Sequence, residues 1–265
     1  MRVRSDDAEI AYTVSGNGPD VVLLHPFPAA GAFWSALAQR LESRYRLIVP
    51  DLRGHGESGV GEGPATMAKH AADLRRVCDD AEVSRAVFAG CSIGGYILFE
   101  FWRRHSDRVA ALILCDTKAG ADTPEARSTR LQAAADVERG GAEPFVDSML
   151  PKLLGATSHR NRPDVVDAAR TMMLRNRPAG IAAVQRGMAE RPDSTGTLKS
   201  ITVPMLLIFG EEDSLTPIAE GEAMRKQIPG SRLVAIPKAG HYAPFEQPEE
   251  AGRLIREFLD GLPGR

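Results

Sequence analysis

Short, nearly continuous apolar runs alternate along this chain with longer stretches in which apolar residues recur every three or four positions. The runs are VVLLH (21–25), RLIVPD (46–51), AVFAG (86–90), VAALILCD (109–116), MLLIFG (205–210) and RLVAIP (232–237). Strands without a polar face belong in a parallel sheet covered by helices on both sides. RVRS and EIAYTVS instead alternate with a period of two, which predicts an antiparallel edge hairpin turning near Asp6 and Asp7. Periodicity and end signals predict helices over 32–41, 66–81 with Thr66 as cap, 93–105, 217–227 and 248–259.

From Thr117 to about Ser200 the rhythm changes. No strand pattern occurs there, and helical stretches over 124–139, 144–154, 164–175 and 179–190 follow one another across Gly140-Gly141, Gly155, Asn161-Arg162-Pro163 and Asn176-Arg177-Pro178. The expected fold is therefore α/β: a mostly parallel twisted sheet of about eight strands flanked by helices, with a helical cap inserted. The expected boundaries are a core of 1–116 and 201–265 and a cap of 117–200. Met149, Met172, Met173 and Met188 suit either the lining of an apolar acyl pocket under the cap or plain helix-on-helix packing.

Composition narrows the function. The 265 residues are 43% hydrophobic and 26% charged with a formal net charge of −2, which fits one large globular domain and offers no basic field for nucleic acid. The first residues, MRVRSDDAEIAYTVSG, lack the apolar core of a secretory signal or membrane span, so a cytoplasmic protein is expected. Cys78, Cys91 and Cys115 are odd in number and widely spaced, which argues for reduced, partly buried thiols over a disulfide frame or zinc site.

The stretch FAGCSIGGY carries the candidate chemistry. Gly90-Cys91-Ser92-Ile93-Gly94 follows a strand and precedes a helix, the setting of a G-x-S-x-G nucleophile elbow, whose sharp turn needs small residues two before and two after the serine. An unactivated serine hydroxyl is a weak nucleophile, so the reading demands a base and an orienting acid. Of six histidines, His241 in KAGHYAPFEQPEE lies after the last strand, on the edge where the carboxyl ends of parallel strands deliver functional loops. His70 and His105 fall on helices of surface type, with solvated or capping roles expected. His159 falls in the cap, and His55 in a glycine-rich turn that it is expected to hold.

Asp213 in FGEEDSLTP lies on the same edge and is the candidate orienter of His241. Asp116, at the end of the strand before the cap, is its rival, with a buried turn-forming role as the alternative. Glu211 and Glu212 are expected to be solvated. Ser92, Asp213 and His241 also follow the chain order serine, acid, histidine found with this elbow. Amide donors for a developing oxyanion are expected from Ile93, at the start of the helix after the serine, and from the loop His25-Pro26-Phe27-Pro28. Proline has no N–H, so within Pro26-Phe27-Pro28 only Phe27 can donate. His25 is expected to brace this loop.

HPFP, DLRGHGES, GCSIGG, GEEDSLTP and GHYAPFEQPEE together resemble the α/β-hydrolase superfamily over essentially the full length, with the flavour of small serine esterases and 3-oxoadipate enol-lactonase-like enzymes. The resemblance implies a serine hydrolase of the carboxylesterase or lactonase type that acts on small-molecule esters or lactones through an acyl-enzyme, without metal or organic cofactor. Close alternatives at the same site are an enol-lactonase, a carbon–carbon bond hydrolase and a haloperoxidase-like perhydrolase. A hydrolase-fold ligand receptor is the alternative from another class. Members commonly carry His-Gly-x-Pro in the oxyanion loop, whereas Pro26 takes the second place here; the donor's role still passes to Phe27. Family dehalogenases and epoxide hydrolases use an aspartate nucleophile where this chain has Ser92.

Overall fold

The computed structural model describes residues 1–263; Gly264 and Arg265, the end of the expected 201–265 core segment, lie outside the described residues. Eight strands form one sheet: β1 (Arg2–Ser5), β2 (Ala8–Ser15), β3 (Asp20–Leu24), β4 (Arg46–Pro50), β5 (Ala86–Cys91), β6 (Val109–Cys115), β7 (Met205–Gly210) and β8 (Arg232–Ile236), in the order β1-β2-β4-β3-β5-β6-β7-β8. β1 and β2 are the expected edge hairpin, with Asp6 at φ 50° in its turn, and β2 also runs antiparallel to β4. From β4 to β8 every pairing is parallel.

The runs of β3 to β7 are apolar nearly throughout because both faces of the sheet are covered there, while the edge strand β8 is only partly buried. Val22, Leu24, Phe88, Leu112, Leu114, Leu207 and Phe209 point to one face, under α2 (Met67–Asp80), α3 (Ile93–His105) and α10 (Ile218–Gln227). Val21, Leu23, Val87, Ala89, Ile113, Leu206 and Ile208 point to the other, under α1 (Ser35–Leu41) and α12 (Pro248–Asp260). Thr66 caps α2, its hydroxyl accepting from the Lys69 amide at 3.3 Å. The helix expected from 32 starts as a 3-10 turn, Gly31–Trp34, before becoming α-helical.

Between β6 and β7 the described chain is helical without a strand: α4 (Pro124–Gly140), α5 (Ala142–Leu153), α6 (Ala156–Asn161), α7 (Pro163–Leu174), α8 (Pro178–Ala189) and α9 (Thr195–Leu198). Four of these match expected segments. α6, α9 and the later α11 (Ala243–Glu246) do not, because helices of four to six residues give too few positions for a periodic pattern. α8 lies directly on the loop after β4. A Cβ on Gly180 would fall 1.8 Å from the Gly54 carbonyl oxygen, and one on Gly187 1.8 Å from that of Ala65, while the Ala65 amide donates to Ala183 O at 3.0 Å.

Under the same loop sit three buried histidines. His25 donates from Nδ1 to Pro26 O and accepts the Leu52 amide at Nε2, both at 2.9 Å, so it braces the loop as expected. His55 lies edge-on to the rings of His25 and Phe27, and its Nδ1 meets Arg53 O at 3.3 Å. His70 corrects the sequence reading: it is buried on the inner face of α2, neither solvated nor capping, because the loop 51–55 folds over that face. Burial holds His25 at a pKa of about 4 and, with repulsion from His25, His55 at about 3; His70 is pushed well below its ordinary value.

Two outcomes follow from this packing. Gly187→Ala should lower stability by about 1 to 3 kcal/mol from overpacking, although alanine is the better helix former by about 1 kcal/mol; urea unfolding reads the sign. The buried histidines stay neutral in the native state while the unfolded chain takes up protons near pH 6.5, so their contribution is complete above that pH and is lost as the pH falls below it. His55→Gln should therefore flatten the fall in stability between about pH 6.5 and 4 by up to one proton, ~1.4 kcal/mol per pH unit, relative to the unsubstituted protein in paired urea melts; an unchanged slope overturns this.

Candidate active site

β5 ends at Cys91 and α3 begins at Ile93, so Ser92 alone reverses the chain, at φ 53° and ψ −113°. L-residues seldom adopt such a backbone, and it persists only where the surroundings over-determine it. Here the Ser92 amide donates to Cys115 O at 2.9 Å and Thr117 Oγ1 donates to Ser92 O at 2.7 Å. The expected need for small neighbours holds: a Cβ on Gly90 would lie 2.5 Å from the Gly94 carbonyl carbon, and one on Gly94 2.7 Å from Leu24 O.

Three segments meet at this turn. His241 Nε2 is 2.8 Å from Ser92 Oγ, and His241 Nδ1 is 2.8 Å from Asp213 Oδ2. The other Asp213 oxygen accepts the Leu215 and Thr216 amides at 2.8 and 3.0 Å, which locks the carboxylate in its loop. With Nδ1–H donating to Asp213, Nε2 is left as an acceptor for the serine proton. Ser92, Asp213 and His241 are all buried, and Ser92, at 8%, is the most exposed of them.

The rival acid lies apart from the imidazole's hydrogen bonds. Asp116, at φ 46° and fully buried, accepts the Gly210 amide at 2.8 Å and the Ala243 amide at 3.3 Å, so it joins the ends of β6 and β7 to the start of α11. Burial, reinforced by the nearby Asp213 charge, pushes its carboxyl well above the ordinary range. Glu211 is exposed as expected. Glu212 corrects the reading: it is half-buried and accepts the Thr157 amide at 2.8 Å and hydroxyl at 2.5 Å. Its partners lie 55 positions away, on the helical insertion, where no local pattern points.

Glu246, to which no local sequence pattern points, sits at the same junction. Fully buried, it accepts the Gly155 amide, the Ser158 hydroxyl and the Gly240 amide, at 2.8, 2.5 and 2.7 Å, and so ties α6 to the residue before His241. Burial raises its carboxyl despite those donors.

Among the described residues neither the Phe27 nor the Ile93 backbone amide has an acceptor. Tyr242 donates its hydroxyl to Phe27 O at 3.1 Å, and Asn176 Nδ2 donates to Pro28 O and Ala29 O at 2.5 and 3.2 Å while its Oδ1 accepts the Gly56 amide at 2.8 Å. The sequence marks Asn176 only as part of the break Asn176-Arg177-Pro178 between helices. Its hold on a loop nearly 150 positions away is a tertiary fact.

A cleft of 490 Å³ opens between α4, α5 and α8, and the ring of its wall residue Phe145 lies 5.8 Å from that of Phe27, tilted by 60°. Met149 lines this cleft; Met172, Met173 and Met188 are buried in the apolar core as packing residues. The cysteines are free and buried. Among the described residues no cluster of three or more His, Cys, Asp or Glu is arranged to hold a metal, and no helix is long and apolar enough to cross a membrane.

Comparison with known proteins agrees with this architecture. The family profile described as alpha/beta hydrolase fold matches residues 19–248. The pimeloyl-[acyl-carrier protein] methyl ester esterase of Aromatoleum aromaticum is 32% identical over 257 residues, 92% of this chain and 100% of the relative. A thermophilic esterase from Thermogutta terrifontis, solved with malate bound, superposes with a TM-score of 0.96 at 42% identity, covering 99% of both chains. The enol-lactonase of Burkholderia xenovorans LB400 superposes with a TM-score of 0.91 at 26% identity, covering 98% of this chain and 100% of that one. Sheet order, elbow geometry and these matches together place the chain in the alpha/beta hydrolase fold family.

Proposed function

We propose that the protein is a serine hydrolase that cleaves small-molecule carboxylic esters or lactones through an acyl-enzyme. The observation that carries this reading is the unbroken hydrogen-bonded line from Ser92 Oγ through His241 to Asp213, at 2.8 Å in each step. Ser92 Oγ attacks the carbonyl carbon as its proton passes to His241 Nε2, and Asp213 stabilises the imidazolium through Nδ1–H. The carbonyl oxygen becomes anionic against the unpaired Phe27 and Ile93 amides, a contribution of about 3 to 4 kcal/mol per donor in such sites. The tetrahedral adduct collapses, the carbon–oxygen bond to the alcohol breaks, and His241 returns the proton to the leaving oxygen. Water, deprotonated by the same imidazole, then releases the acid and restores the serine.

Residues 117–200 serve in this reading as a cap on a core of 1–116 and 201–263, with the cleft between α4, α5 and α8 as the way in for substrate. The esterase and enol-lactonase likenesses favour ester and lactone substrates over other acyl compounds.

Ser92→Ala should lower kcat on p-nitrophenyl butyrate by about 10⁴-fold or more and abolish covalent labelling by a fluorophosphonate, and Asp213→Asn should lose about 10⁴-fold. Labelling with rapid multiple turnover marks an enzyme, whereas stoichiometric labelling without turnover marks a slow receptor of the same fold. Near-native hydrolysis by Ser92→Ala would sink the proposal.

A further inference from the structure

The helical insertion sets two guanidiniums on one carboxylate, against the helix that follows Ser92. Asp122 Oδ2 accepts from Arg130 Nε at 2.5 Å and Asp122 Oδ1 from Arg191 Nη2 at 2.9 Å, so one carboxylate serves two guanidiniums. The side chains of Asp122 and Arg191 are 3% and 2% exposed. Burial alone would raise the Asp122 carboxyl, and the two arginines hold it below its ordinary value, which keeps it ionised. The buried Asp122 and Arg191 therefore balance one another, and the partly exposed Arg130 is the cation left over, while the exposed Asp193 carboxylate also acts on Arg191. The cluster also has unused donors: Arg191 Nε is buried without a partner, and Arg130 Nη2 makes no hydrogen bond among the described residues.

Arg130 is the member that reaches open space. Its side chain is 24% exposed and lines the 490 Å³ cleft together with buried Gln185, whose Oε1 accepts Arg130 Nη1 at 3.2 Å. Lys152 at the rim adds a second cation without an ion pair among the described residues, while the one anion lining the cleft, Asp136, is already bonded to Arg139 and Gln132.

The cluster is also near the serine. Arg191 Cζ stacks 4.1 Å from the ring centroid of Tyr96, and Tyr96 stands on α3 four residues after Ser92, one helical turn or about 6 Å along the axis. Burial raises the Tyr96 phenol, against the charges of Arg191 and Arg130 and with those of Asp122 and Asp213.

We propose that Arg130, backed by Arg191 and flanked by Gln185, forms a subsite for a carboxylate carried by the substrate, so that the protein prefers esters bearing a second, ionised acid group. Arg130 supplies the free face of its planar fork, and the fixed pairing of Asp122 with Arg191 keeps that fork from turning away. The proposal rests on the ester-hydrolase reading for its meaning, but its test does not require turnover.

Glutarate and its neutral analogue glutaramide are titrated calorimetrically, at about pH 8 where both glutarate carboxyls are ionised, into the full chain and into Arg130→Gln. The unsubstituted protein should bind glutarate at least about tenfold more tightly than glutaramide, and Arg130→Gln should reduce that preference to about threefold or less, as expected for loss of one charge-assisted hydrogen-bond pair. No preference in the unsubstituted protein overturns the proposal without any variant, and so does a preference that survives Arg130→Gln. Hydrolysis of p-nitrophenyl butyrate, monomethyl glutarate and 4-acetoxybutyrate by the same unsubstituted protein completes the test. A lower KM for monomethyl glutarate puts the recognised carboxylate on the acyl side, and a lower KM for 4-acetoxybutyrate puts it on the alcohol side. Turnover of the neutral ester without any preference for glutarate removes the subsite and leaves the ester-hydrolase reading standing; a glutarate preference without ester turnover does the reverse.

Discussion

The site depends on a single strained residue. A strand at the middle of a parallel sheet must hand its chain to a helix packed on the same sheet, and Ser92 does so alone, at a backbone conformation that an L-residue adopts only under constraint. The constraint is paid for by backbone hydrogen bonds on both sides of the turn and by the absence of side chains at Gly90 and Gly94, where the backbones of β5, α3 and β3 nearly touch. The turn leaves the Ile93 amide without an acceptor among the described residues. In the proposed reading the nucleophile and one donor for the charge it creates arise from this one local distortion.

Around that turn, buried carboxylates hold the loops that carry the partners. Asp116 joins β6, β7 and α11, and Glu246 joins α6 to the backbone just before His241. Asp213 uses one oxygen on its own loop and keeps the other for the imidazole. All three are nearly or fully buried and accept backbone amides, so each substitutes fixed dipoles for the water it has lost. The line from Ser92 through His241 to Asp213 is aligned because the loops that carry it are held by buried hydrogen bonds. The arginine pair on Asp122 differs from these, since its donors outnumber its acceptors and one of its members faces open space.

The sequence by itself determined the sheet, since runs with no polar face are best buried between two helical layers, as β3 to β7 are, and the alternating first two form an edge. It also determined Ser92, Asp213, His241, Phe27 and Ile93 as candidates, because the elbow needs a local glycine pattern and strand-end loops are found by counting along the chain. Only the tertiary structure decided what those loops rest on. The burial of His70, the grip of Asn176 on the loop after β3, the tie from Glu212 to Thr157, the junction at Glu246 and the pairing of Arg130 and Arg191 on Asp122 all join residues distant in the chain. Periodicity reports which face of an element is apolar; it carries no record of which polar group will stand opposite once two elements meet, and that opposition sets both the burial cost and the hydrogen bond that offsets it.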